Sequence, residues 1–365
     1  MPATLIADWD AFRRAAAFAE RTAKMDNSSA LAHHDAIDQW SREGVTTMQR
    51  QPNFEPKGVI PACILPFRDD LEIDEGAYRR HLRDVAGVAG VSAITVNAHA
   101  TEVASCSFEE QRRVLDLAMD AIGDRTPIVN GIYADGSLEA ARIARMAAAG
   151  GASALLVFPP NPFILGQTDA MVLAHFQRIA DATDLPLIAF QYPLAGGQGY
   201  PLERLLRLIE EVPSVRAIKD WCNVVPQHET HIRMLQNLTR PVNVLTTHSS
   251  WLLSSLVLGC RGLLSGMGSV VADLQSALFA AVQADDLARA RAVNERLSPL
   301  AAAFYADPFV DMHNRMKAAL VLLGRIPCAA VRPPLVAPDA AEIERLRVAL
   351  AEAKVARDGA RLEAA

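Results

Sequence analysis

The chain has 365 residues, 51% of them apolar, with 36 Lys and Arg against 42 Asp and Glu for a formal net charge of −6. That length supports a full hydrophobic core in one large α/β domain or two smaller ones. Net acidity without a basic block excludes nucleic acid as the main partner, and no apolar run is long enough to span a bilayer as a helix.

The cysteines Cys63, Cys106, Cys222, Cys260 and Cys328 are widely spaced and form no CxxC pair. Reduced thiols in a cytoplasmic protein are the expectation. Residues 1–8 contain no basic stretch followed by an apolar one, so secretion is not expected.

Residues 1–56 differ in texture from the rest of the chain. Segments 9–24 and 29–43 read as short helices rich in Ala and charge, and Pro52 and Pro56 punctuate a linker after them. Two readings stand for this extension: a helical arm packed on the main domain or a neighbouring subunit, or a poorly ordered tail. The packed arm is the one expected.

From Gly58 onward, short apolar runs suited to buried parallel strands alternate with segments of 3.6-residue period. The strand-like runs are 59–64, 93–96, 127–130, 154–158, 186–190, 215–219, 242–246 and 262–265. The helices after them span 73–88, 108–122, 137–149, 169–182, 202–212, 227–238, 251–258 and 271–283. Ser107 is the expected N-cap of the second, with Glu110 completing a capping box. Eight β-then-α units predict a (β/α)8 TIM barrel over residues 57–285. A doubly wound sheet would want a glycine-rich turn after the first strand, and Leu65-Pro66-Phe67-Arg68-Asp69-Asp70 has no glycine. Residues 286–365 predict helices at 287–303, 308–323 and 340–356 that cap or flank the barrel or build a subunit interface, with a frayed end.

Barrel chemistry sits at the C-terminal strand ends. The sixth run ends on Lys219, its stem among apolar neighbours. Burial lowers a lysine from its ordinary pKa of ~10.4 by a few units, and a neutral amine can form a Schiff base with a keto substrate. Spacing alone leaves a second reading open, in which Lys219 snorkels to the barrel mouth or pairs with Asp220 or Glu102.

Four segments now bear on family. They are Asn-Ala-His-Ala-Thr-Glu at 97–102, Gln191-Tyr192-Pro193, Ile218-Lys219-Asp220, and Gly-Cys-Arg-Gly-Leu-Leu-Ser at 259–265. In order and spacing they resemble the dihydrodipicolinate synthase/N-acetylneuraminate lyase family of class I aldolases, over residues 57–325. The resemblance implies a TIM barrel, a homo-oligomer (tetramer or dimer), and a small-molecule 2-keto acid such as pyruvate or a keto-sugar acid on Lys219. No metal or organic cofactor is expected, because the iminium is itself the electron sink.

The departures from the family pattern shape the rest of the expected site. The loop the family writes as Gly-Thr-Thr-Gly-Glu reads Ala98-His99-Ala100-Thr101-Glu102 here. Phe190 stands where members place a catalytic tyrosine. Tyr192 lies two residues on, on the same strand face, and is assigned as proton relay, with packing as its other reading. Asn161 and Ala195 replace a tyrosine and an arginine, which argues against a lysine-pathway synthase, and the bulk of Trp221 argues against a sialic-acid lyase.

The expected roles are Lys219 as nucleophile, Tyr192 as relay, and the backbone and side chains of His99, Ala100 and Thr101 as carboxylate cradle. Glu102 orients that loop, and Trp221, Ser265 and Gly266 complete the substrate site. One alternative is a catalytically impaired barrel that binds a keto acid or sugar acid as a sensor or scaffold. Another is a metal-dependent lyase using His99, His248 and Glu102, whose spacing fits no common ligand motif. Ser249 or Ser250 is expected to cap the helix at Trp251, and His228 and His231 are expected on a solvated helix face.

Overall fold

Eight of the apolar runs become eight parallel strands in the computed structural model, which describes residues 54–355. They are β1 (Gly58–Pro61), β2 (Ile94–Val96), β3 (Ile128–Ile132), β4 (Ala154–Val157), β5 (Leu187–Gln191), β6 (Val215–Asp220), β7 (Asn243–Thr246) and β8 (Gly262–Ser265). Nearly every strand position is buried; Arg216 in β6 is an exposed exception. Burial on both faces explains why these strands read as unbroken apolar runs rather than alternating ones.

The strand order is β1-β8-β7-β6-β5-β4-β3-β2. Parallel bridges Val59–Val91 and Ala62–Thr95 join β1 to the β2 side and close the ring. There the Cys63 amide donates to the Thr95 carbonyl at 3.0 Å. This is the (β/α)8 barrel expected from the alternation. The register between β5 and β6 shifts at Leu187/Ile188, and past that irregularity Phe190 pairs with Lys219.

Each strand leads into a helix: α1 (Glu75–Ala86), α2 (Phe108–Ile122), α3 (Ser137–Ala149), α4 (Asp169–Ala180), α5 (Leu202–Glu211), α6 (Val225–Leu235), α7 (Leu252–Val257) and α8 (Gly268–Gln283). Ser107 and Glu110 form both bonds of the capping box that starts α2. The expected serine cap of α7 is not made. Ser249 lies in a 3₁₀ turn and its hydroxyl bonds to Ser265 and Tyr305, while Trp251 at the cap position supplies no side-chain bond.

Past the barrel come α9 (Leu287–Phe304), α10 (Met312–Leu322) and α11 (Ala340–Glu352). Between α9 and α10, residues 305–311 run to the C-terminal mouth of the barrel. The buried guanidinium of Arg315 fixes this stretch by donating to the carbonyls of Phe304, Ala306, Asp307 and Pro308, and its Nε donates to Glu342 on α11. Otherwise these carbonyls would be buried without partners. The helices expected at 9–24 and 29–43, most of the linker, and the end of the segment expected at 340–356 lie outside the described residues. Among the described residues no helix is long and apolar enough to cross a membrane.

Candidate active site

At the C-terminal ends of the strands the side chains enclose a cavity of about 60 Å³. That is small beside the roughly 300–1,000 Å³ of pockets that hold drug-sized ligands. Lys219, His99, Ala100, Trp221 and Gly266 of the expected site all line it. A cleft of about 490 Å³ lies at the other end of the barrel, among residues that precede β4, β5 and β6. That face serves stability rather than chemistry in barrels of this type.

Lys219 is 6% exposed, and its Nζ sits over the Phe190 ring, 4.1 Å from the centroid. Burial lowers its pKa from 10.5 to about 7. Among the described residues it forms no ion pair. The two carboxylates considered as partners are both engaged elsewhere. Asp220, one residue on, points to the opposite face of β6 and accepts from His228 and His231. Glu102 accepts from the Lys317 ammonium and from the Arg332 amide.

Tyr192 stands behind the cavity wall and reaches it through His99, its hydroxyl 3.2 Å from Nε2. Its ring packs 4.6 Å from Phe190 and 5.3 Å from Trp221. Burial raises the Tyr192 phenol, and burial, then the neighbouring Lys219, pushes His99 down to about 3. Both groups are therefore neutral near pH 7.

Other expected residues sit off the cavity. The Thr101 hydroxyl donates to the Ala98 carbonyl at 2.8 Å. Glu102, in left-handed backbone at φ 52°, ties the loop to α10 through Lys317. Ser265 is fully buried, and its hydroxyl contacts Ser249 and accepts from the Met267 amide.

Tyr305, Phe309, Met312 and His313 complete the wall, and none was expected there. Phe309 stacks on Trp221 with centroids 5.3 Å apart and planes at 11°. The Tyr305 hydroxyl accepts from Ser249 at 3.0 Å. Three of these residues, Phe309, Met312 and His313, lie in the segment expected as a helix at 308–323, and nothing in that pattern marks it as part of the mouth.

His228 and His231 are not on a solvated face: both are buried, their Nδ1 atoms 2.8 and 2.7 Å from the same Asp220 Oδ2. Asp220 points out of the barrel into the layer between β6 and α6, and the two rings turn inward to meet it. Burial alone would raise the Asp220 carboxyl, but hydrogen bonds from His228 and His231 hold it well below the usual carboxylate range. His228 extends the chain to the Ser255 hydroxyl at 2.7 Å. Asp220, Cys222 and His231 bring potential metal-ligand atoms within 4.8 Å of one another. However, Asp220 is already occupied, with Oδ1 taking the Cys222 amide and Oδ2 taking both imidazoles. His248 accepts the Asn223 amide at 3.1 Å and does not meet His99 or Glu102.

A sequence model described as the Dihydrodipicolinate synthetase family matches residues 55–353. The 4-hydroxy-tetrahydrodipicolinate synthase of Corynebacterium aurimucosum is 31% identical over 323 residues, covering 86% of this chain and 99% of that protein. The synthase of the same name from Salinibacter ruber is 31% identical over 251 residues, 69% of this chain and 81% of that one. Among solved structures, a putative dihydrodipicolinate synthetase from Pseudomonas aeruginosa aligns with a TM-score of 0.75 at 26% identity, covering 81% of this chain and 99% of that one. A prophage protein of the dihydrodipicolinic acid synthase family from E. coli K12, in complex with pyruvate, aligns with a TM-score of 0.76 at 24% identity, covering 82% and 99%.

Proposed function

The chain belongs to the dihydrodipicolinate synthetase family, and on that premise we propose that it is a Schiff-base-forming lyase acting on a small 2-keto acid. The observation that carries this reading is Lys219: an amine buried at a barrel-strand end, with no carboxylate partner among the described residues and a pKa near 7. A large fraction is then the free amine at neutral pH, whereas an ordinary lysine is almost wholly protonated.

The neutral Nζ attacks the keto carbon to give a carbinolamine, which loses water to an iminium. The iminium draws in the electron pair of the neighbouring C–C or C–H bond, giving an enamine that is later reprotonated and hydrolysed from the lysine. His99, which lines the cavity with Lys219, and Tyr192, hydrogen-bonded to His99 behind it, are the groups proposed to move the protons. No metal is required by this scheme.

The size of the cavity supports pyruvate or a compound of similar reach at the imine, and the pyruvate complex of the E. coli protein supports the same class. The relatives above carry the name of a synthase. Here Ala195 and Asn161 stand where the family resemblance places an arginine and a tyrosine. We therefore favour a different reaction, retro-aldol cleavage or dehydration of a keto-sugar acid. Exposed Ile164, Leu165 and Leu194, on the loops after β4 and β5, support a homo-oligomer contact there. The free cysteines support a cytoplasmic setting.

The test is incubation with each of several 2-keto acids and borohydride, followed by intact-mass measurement. One reduced adduct per chain is expected with pyruvate. If no keto acid gives an adduct while Lys219 still reacts with an amine reagent, the lyase reading fails and the barrel is a binding protein.

A further inference from the structure

An imine-forming site must also hold the carboxylate of its keto acid, and beyond its backbone amides the loop after β2 offers few side-chain donors for that task. Ala98 and Ala100 have no donor side chain, and the Thr101 hydroxyl is spent on the Ala98 carbonyl. His99 meets Tyr192 through Nε2, and the Tyr305 hydroxyl accepts from Ser249. Two other polar side chains line the cavity, Thr247 and His313.

We propose that His313, at the start of α10, donates the hydrogen bond that holds the substrate carboxylate while Lys219 forms the imine. The inference rests on the Schiff-base reading of the same cavity. Three observations carry it. Among the described residues the imidazole of His313 has no hydrogen-bond partner, although it lies in the wall beside Lys219, with its centroid 6.4 Å from that of His99. Gly266 makes room for it: a Cβ at that position would lie 2.7 Å from Nε2. Finally, the electrostatics suit an incoming anion. Burial first, then His99, Lys219 and Lys317, keep His313 neutral, with one N–H to donate. A carboxylate entering between the imidazole and the Lys219 ammonium or iminium gains a donor and an opposite charge.

This role makes binding depend on the carboxylate itself. The probes are pyruvate and pyruvamide, which share the keto group and differ in charge at the other end. Half-saturation for borohydride trapping is measured with both, in wild type, His313→Leu, His313→Gln and Thr247→Val. In His313→Leu the value for pyruvate should rise on the order of 10- to 100-fold, while that for pyruvamide stays within about 2-fold. His313→Gln, which keeps an N–H donor, should recover much of the loss. His313→Phe serves if the leucine variant does not fold.

Equal losses for both ketones would show a packing role and overturn the proposal, as would unchanged pyruvate binding. So would a pyruvate-specific loss that appears in Thr247→Val instead. Calorimetric titration with pyruvate separates this claim from the lyase reading. Weaker pyruvate binding in His313→Leu, with no adduct even in wild type, would sustain the carboxylate role and sink the imine. Unaltered binding would sink the role of His313.

Discussion

Lys219 Nζ lies 4.1 Å from the centroid of the Phe190 ring, its partner across the β5–β6 ladder. An aromatic face favours the charged amine, by roughly 2 kcal/mol at a desolvated site. Burial opposes it more strongly, since a fall from 10.5 to about 7 represents on the order of 5 kcal/mol at roughly 1.4 kcal/mol per unit. Desolvation wins, and the amine is poised near neutrality.

The rate of imine trapping should therefore rise with pH through about 7 and level off above it, where an ordinary lysine would still be gaining near pH 10. Stability carries the matching sign. Between about 7 and 10.5 the unfolded chain binds the proton that the folded chain has lost, so this residue's contribution improves as pH rises across that window. Lys219→Met removes the penalty, and its melting temperature should exceed that of wild type most clearly below pH 7, with the gap closing towards pH 10.

Tyr192→Phe keeps the ring that packs between Phe190 and Trp221 and removes only the hydroxyl that meets His99. As a proton relay, its loss should lower kcat by about 10²- to 10⁴-fold, with little change in melting temperature. A variant with full kcat would assign Tyr192 to packing.

Glu102 and Lys317 are both buried, at 5% and 1% exposure, and neutralise each other beneath the loop that carries His99. Removing one partner strands the other charge. Glu102→Gln or Lys317→Met should each cost about 3–5 kcal/mol of unfolding free energy in denaturant titration. The double variant Glu102→Gln/Lys317→Met should be less damaged than the sum of the two.

Trp221 and Phe309 stack across the mouth and limit the cavity to about 60 Å³. Phe309→Ala should open it, lowering KM for longer 2-keto acids relative to pyruvate. If the relative preference across a chain-length series does not move, the wall lies elsewhere.

The parts of this architecture legible in the sequence are those written in local pattern. Strands buried on both faces leave unbroken apolar runs, and the Ser107–Glu110 box marks the start of α2. Lys219 stands out because a cation ends such a run. The rest depends on contacts between distant segments. Glu102 finds Lys317 at a separation of 215 residues, and the 305–311 stretch takes its path from Arg315, neither of which leaves a periodic trace. His228 and His231 mislead for a different reason. Histidines three apart on a helix look like a polar face, and only the outward turn of Asp220 on its strand provides the buried acceptor.

The central claim is that Lys219 forms the imine, and peptide mapping tests it most directly. Protein incubated with ¹³C-labelled pyruvate and borohydride is digested, and the label is located by mass spectrometry. A single labelled residue, Lys219, is predicted, with no label in Lys219→Met. Label on another lysine, or label that persists in the methionine variant, would contradict it.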